Sequence, residues 1–323
     1  MDDGGSALKN RVSAGVLAPA RGSGRRRSPA PHHLRRRAVA LLVLAAVILA
    51  AGIWIGSHGG AATHRPALSV EHGFFDRIAT LAGNGQGSFA AAQRAAEAGA
   101  INRTLAYTPY VRIAGAQHRE LALTFDDGPG PYTPAMLAVL RRAGVPATFF
   151  EVGIEERYFH ASTSEIVSRG DVIGDHTDTH APMSTLTTSQ QRAQLLEQAA
   201  AIGAYGAPFP RLFRPPYGLW NATTLRLLRR YRMLMVLWTV DTSDYRLPGV
   251  RAIVHAAVAG ARPGAIILLH DAGGNRLQTV EALPRIIKDL RARGYKLVTV
   301  PRLLLDNPPP RNQQISAVLG TGG

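Results

Sequence analysis

Seven short apolar runs punctuate the middle of the chain, each close to continuous and bounded by turn-forming residues. They are "LALTF" (121–125), "ATFFEVG" (147–153), "DVIG" (171–174), "RLF" (211–213), "MLMVLWTV" (233–240), "AIILLH" (265–270) and "KLVTV" (296–300). Between them lie stretches with helical spacing of apolar positions, such as "TPAMLAVLRRAG", "TTSQQRAQLLEQAAAIGAYG" and "LQTVEALPRIIKDLRARG". Two of the helical stretches close on glycine in the manner of a C-cap. Strands that are apolar on both faces and alternate with amphipathic helices predict a parallel sheet covered by helices. Seven such strands between residues 119 and 305 predict a barrel one unit short of eight, with an open doubly wound sheet as the alternative.

The flanks have a different character. Residues 38–56, "AVALLVLAAVILAAGIWIG", carry no charge over 19 positions. At about 1.5 Å per residue this nearly crosses a hydrocarbon core of about 30 Å. "RRR" at 35–37 precedes it directly, and Arg65 is the one basic residue among the first dozen after it. The positive-inside bias therefore predicts a single-pass anchor with residues 1–37 in the cytoplasm and the rest outside. A cleaved signal peptide, with secretion, is the alternative, but the basic region before the apolar run exceeds the length of a whole signal sequence. Residues 57–118 read as a partly helical stalk, and 306–323, with three consecutive prolines and no apolar periodicity, as a disordered tail.

Charge adds little to this picture. The net +15 is concentrated in part in residues 1–37, which hold nine Lys or Arg against Asp2 and Asp3. That tail has no aromatic residue interleaved with its basic ones, so a nucleic-acid partner is not expected. The chain has no cysteine, which excludes disulfides, thiolate metal sites and a cysteine nucleophile. Nothing in the sequence speaks to oligomeric state.

Chemistry gathers where the apolar runs end. In β/α architectures the loops that leave the strand C-termini form one face, and active sites are built there. The first run exits into the adjacent acids Asp126 and Asp127, and the third into "GDHTDTH", with His176 and His180 four apart. The fourth exits into "RPPYG" (Arg214–Gly218), the fifth into "DTSDY" (Asp241–Tyr245), and the sixth into His270 and Asp271. Histidines at i and i+4 lie together on one helical turn and can converge on a metal. Adding one carboxylate gives two neutral nitrogens and an oxygen, with coordination positions left open, the pattern of a catalytic rather than structural zinc site. One of the paired acids can supply that oxygen and the other remains free as a base.

These residues resemble the polysaccharide deacetylases of carbohydrate esterase family 4, the NodB-homology domain. "TFDDGP", "HTDTH", "RPPYG", "DTSDY" and "LLH" (268–270) match that family's five motifs in order, within residues 119–305. The resemblance implies a distorted (β/α)7 barrel and a metal-dependent deacetylase acting on a cell-wall or extracellular N-acetylglucosamine polymer. It implies Asp127, His176 and His180 as ligands of a divalent metal, zinc first and cobalt, manganese or nickel as alternatives. Asp126 would be the general base, paired with Arg214, and the Tyr217 backbone N–H an oxyanion donor. His270 would be the general acid and Asp244 its orienting partner, with Asp241 less securely placed. One position departs from the pattern: Tyr245 stands where the family has tryptophan, which bears on the walls of the sugar groove. His118, His160 and His255 are expected to be inert, and Trp220 and Trp238 to serve as core or groove wall.

Two other classes compete. A two-histidine, one-carboxylate iron oxygenase shares the ligand set but leaves Asp126, Arg214 and His270 idle. A non-catalytic wall-binding protein would be expected to have lost a ligand or an acid–base residue, and none is lost. O-acetyl ester hydrolysis at the same site is the nearest enzymatic alternative.

Overall fold

A computed structural model of the chain describes residues 90–313. Strand β2 (Glu120–Asp126) is buried at all seven positions and carries the sheet. Leu121, Leu123 and Phe125 join a core cluster with Met136, Leu140, Leu283 and Ile286 of the covering helices. Ala122 faces the other way, into a cluster with Phe150, Leu212, Leu234, Val236 and Ile266, which come from four other strands. Period-2 alternation then puts Thr124 and Asp126 on that same inner face, at the strand's C-terminal end.

The remaining strands are β1 (Tyr110–Val111), β3 (Thr148–Glu151), β4 (Val172–Asp175), β5 (Leu212–Phe213), β6 (Leu234–Val236), β7 (Val240–Asp241), β8 (Ile266–His270) and β9 (Lys296–Leu297). The order is β1-β6-β5-β4-β3-β2-β8-β7, with β9 pairing only β2, and every ladder is parallel. The run at 233–240 supplies both β6 and β7, so one segment lies on β5 at one end of the sheet and on β8 at the other. Between the two ladders Leu237 N donates to Val111 O and Thr239 N to Ile266 O. The sheet is therefore a partial barrel.

The parallel α/β architecture expected from the sequence is present, as an open half-barrel rather than a set of seven regular staves. The last run, β9, reaches only Glu120 and Leu121 at the base of β2, and β1 comes from outside the predicted domain.

Helices fill the connections: α1 (90–105), α2 (Thr133–Ala143), α3 (Glu156–Arg169), α4 (Thr188–Gly203), α5 (Ala222–Tyr231), α6 (Val250–Ala259), α7 (Leu277–Ala292) and α8 (Val300–Asp306). Gly144 and Gly170 end α2 and α3 at φ 58° and 76°, as the two glycine caps require. Thr187 with Gln190, and Asn221 with Thr224, form capping boxes that start α4 and α5.

The flanks of the domain differ from the sequence reading. Residues 90–118, expected as stalk, add α1 and β1, and Ala100, Ile101 and Val111 join the inner cluster. Residues 306–313, expected as disordered, are anchored: Gln313 Oε1 accepts from Arg112 N at 2.7 Å and Ile113 N at 3.1 Å, and Tyr107 Oη donates to Pro309 O. Proline removed donors and apolar period from this segment, but its acceptors satisfy other chain elements, which no local pattern reveals. The basic tail 1–37 and the apolar run 38–56 lie outside the described residues. Among the described residues no helix is long and apolar enough to cross a membrane.

Asn307 ties this anchor to the sheet. Fully buried, it accepts from His118 N at 2.6 Å and donates from Nδ2 to Glu120 Oε2 at 3.0 Å. Asn307→Ala leaves the buried Glu120 Oε2 and the part-buried His118 N–H without this partner and should cost about 1–2 kcal/mol in urea unfolding. An unchanged midpoint would show that the segment does not brace the domain.

Candidate active site

All five site-bearing strand exits emerge at one end of the sheet because the strands are parallel. Arg214 follows β5 with its guanidinium fully buried. Nη1 donates to Asp126 Oδ1 at 2.6 Å and to Thr124 Oγ1 at 2.9 Å, and Nε donates to Val236 O at 3.0 Å. Its face lies 4.1 Å from the Phe150 ring centroid. A buried cation survives only when paired in this way, and the pairing fixes one Asp126 oxygen while Oδ2 faces His176 Nε2 at 3.7 Å.

Asp127 turns away from the strand at φ 75° and meets both histidines, its Oδ1 lying 3.5 Å from His176 Nε2 and 3.1 Å from His180 Nε2. The histidines do not share a helical turn, as their spacing predicted. They sit on a bent loop after β4, with Thr177 at φ 69° and His180 at φ 55°, and their rings approach to 5.0 Å. His176 Nδ1 contacts Arg214 O at 2.7 Å, a carbonyl that can only accept, so Nδ1 carries the proton and Nε2 offers its lone pair. His180 Nδ1 lies 3.1 Å from Tyr217 Oη.

Asp127, His176 and His180 bring one donor atom each to within 4.8 Å of one another. Two imidazoles and a carboxylate converging at that spacing fit a divalent cation. Burial alone would raise the Asp127 carboxyl, but the His176 and His180 contacts hold it well below the usual carboxylate range, so it remains an anion.

Opposite this group stands His270, at the end of β8. Its Nδ1 lies 2.7 Å from Asp244 Oδ1, and its backbone N donates to Asp244 Oδ2 at 2.8 Å. Thr279 from α7 donates to the same Oδ2 at 2.8 Å. Burial pulls the imidazole down, yet the bond to Asp244 and its charge, with those of Asp127 and Asp126, raise it to about 9. Tyr217 is 56% exposed and in the left-handed region at φ 59°, and Tyr245 is 38% exposed with its ring 5.3 Å from His270. Both stand at the open mouth. Asp241 is exposed and accepts from Ser243 N, bracing the turn that leads to Asp244.

The eight residues singled out by the sequence thus form one cluster. Trp238 is buried in the core, and His160 stacks on Tyr205 at 4.5 Å. Sequence reasoning assigned nothing to Thr279 or Thr133, which hold Asp244 and Asp271 respectively, because a threonine at a helix start carries no chemical signal.

A polysaccharide deacetylase family model matches residues 114–236. A peptidoglycan-N-acetylglucosamine deacetylase of Bacillus cereus is 36% identical over 187 residues, covering 57% of this chain and 87% of that protein. The chain belongs to the polysaccharide deacetylase family. As a polysaccharide deacetylase it is a hydrolase acting on non-peptide carbon–nitrogen bonds. A chitooligosaccharide deacetylase of Bradyrhizobium is 36% identical over 198 residues, covering 57% of this chain and 90% of the relative. The fold matches the solved Bc1960 peptidoglycan N-acetylglucosamine deacetylase with a TM-score of 0.59 at 30% identity, covering 64% of this chain and 95% of that one.

His270 gives this polysaccharide deacetylase a distinct titration. In metal-free protein its imidazole NMR resonance should titrate near about 9, and Asp244→Asn should bring it down toward 6.5. Because the folded value lies above the ordinary one, the associated stability is fully present below pH 6.5 and lost as pH rises through about 9. Equal titration in wild type and Asp244→Asn would dismiss the pair.

Proposed function

We propose that the enzyme removes N-acetyl groups from an N-acetylglucosamine glycan outside the cell, peptidoglycan first and chitin-like oligomers second, releasing acetate and a free amine. The observation that carries this reading is the placement of two proton-transfer groups, Asp126 with Arg214 and His270 with Asp244, on either side of Asp127, His176 and His180. A divalent cation held by those three, zinc in our reading, supplies Lewis acidity toward a carbonyl and an attacking water.

The chain's own residues do the rest. Asp126, aimed by Arg214, takes a proton from the attacking water. The Tyr217 backbone N–H donates to the carbonyl oxygen as it gains charge. His270, whose Nδ1 is held by Asp244 and whose cation that carboxylate favours, delivers a proton to the departing nitrogen. This last feature favours amide over ester hydrolysis, since an amine leaves only when protonated, whereas an alkoxide depends on it less.

We place the enzyme on the outer face of the membrane, anchored by residues 38–56, on the charge asymmetry about that run. Protease added to intact cells should digest the catalytic domain and leave a stub containing residues 1 to 57. A mature N-terminus near Ala61 would mean cleavage and secretion instead.

The chemistry is tested by acetate release from purified peptidoglycan and from chitooligosaccharides. Asp126→Asn should keep its metal and lose turnover by about a hundredfold or more. Asp127→Asn should lose metal, with partial rescue at excess zinc. The reverse pattern would exchange the two roles, and full activity in both would remove the acids from the reaction.

A further inference from the structure

Asp271 follows His270 and is fully buried, yet it belongs neither to the three converging donors nor to the acid–base pairs. Its surroundings point at the turn that carries the paired acids. Oδ2 accepts from Thr133 Oγ1 at 2.5 Å, and the same hydroxyl accepts from Gly130 N at 2.7 Å. A hydroxyl has one proton, so these two bonds define its direction: it donates to Asp271 and receives from the turn. Thr133 N returns a bond to Gly130 O, and Asp271 N donates to Asp126 O at 3.2 Å.

The carboxylate also packs flat against the turn. A Cβ on Gly128 would lie 2.4 Å from Asp271 Oδ2 and 2.7 Å from Oδ1, so the residue after Asp127 must be glycine for the carboxylate to sit there. Two residues beyond Asp271, a Cβ on Gly273 would meet Asp127 Oδ2 at 2.2 Å. The segment 271–273 thus bounds both the backbone and the carboxylate of Asp127. Asp271 Oδ1 is buried without a hydrogen-bond partner among the described residues. Such a group is costly to bury, and its packing gives the turn a fixed wall.

Resting on the metal-centre reading above, we propose that Asp271 is a positioning residue which, through Thr133, sets the Asp126–Gly130 turn and thereby the ligand geometry of Asp127. It touches no reacting atom. Asp127 is held in the left-handed region, where a non-glycine residue persists only if its neighbours over-determine it. The Asp271–Thr133–Gly130 chain on one side and the Val152 N bond to Gly128 O at 2.7 Å on the other do so.

The test uses the full chain, with zinc affinity measured by competition against a chromophoric chelator and melting followed with and without zinc. Thr133→Val keeps the shape and removes the hydroxyl. It should weaken zinc binding by about tenfold or more and shrink the zinc-dependent rise in melting temperature. Thr133→Ser should restore both. Asp271→Leu should match Thr133→Val, and the double variant should lose no more than the worse single one, because both act along one path. Should Thr133→Val fail to fold, Thr133→Ala carries the same comparison. Wild-type zinc affinity in a variant that merely melts lower, equally with and without zinc, would overturn the proposal. So would additive losses in the double variant. A wild-type chain that binds no zinc would instead bring down the metal-centre reading itself.

Discussion

The buried Arg214 guanidinium is the constraint on which the site depends. Desolvating such an ion costs several kcal/mol, and removing one partner of a buried pair costs about 3–5 kcal/mol. Its donors therefore have to find acceptors, and they find them on Asp126 and Thr124 of β2, Val236 of β6 and Leu237 just beyond it. One side chain at the end of β5 ties its neighbour β6 to β2, a strand that pairs with neither of them. The carbonyl of the same residue takes the Nδ1 proton of His176 and so directs the opposite ring nitrogen at Asp127. Asp126 and His176 are oriented from a single point.

Burial then sorts the carboxyls of this region into different states. Burial would raise Asp127, but two imidazoles overcome it and keep the group anionic. For Asp271, burial wins over the Thr133 bond and raises the group to about 7. Glu151 and Asp175, deeper in the sheet, are raised well above their ordinary values by burial, with the charge of neighbouring carboxyls adding to it. Asp127 and Asp244, each in contact with an imidazole, are lowered despite burial, whereas Glu151, Asp175 and Asp271 are raised by it. His270 benefits from the same field, since the anions that face it favour its cation.

Backbone strain is concentrated at the same end of the sheet. Asp127, Thr177, His180, Tyr217 and Ser243 all occupy the left-handed region without being glycine. Each such residue costs on the order of 1–3 kcal/mol unless its surroundings hold it. The strands that precede them are parallel, so the chain enters each turn from the same end of the sheet. The turns at Asp127 and His180 bring those two side chains to within 3.1 Å of each other.

Much of this was legible in the sequence. The continuous apolar runs in "LALTF" and "AIILLH" identify strands buried on both faces, and Gly144 and Gly170 stop helices where their φ values require. The acids, histidines and arginine at strand exits marked the candidate site, because parallel topology brings such exits to one face. Tertiary structure decided the rest. The helical turn expected for His176 and His180 is a bent loop, since Thr177 and His180 take left-handed angles that only their packing selects. One apolar run, 233–240, became two strands toward opposite ends of the sheet, and "KLVTV" became a two-residue strand on the base of β2, because pairing depends on neighbours distant in sequence. Residues 90–118 and 306–313 joined the domain through contacts such as Asn307 to Glu120, which span 187 positions. Local pattern fixes what a segment can become, whereas long-range hydrogen bonds and shared burial determine where it lies.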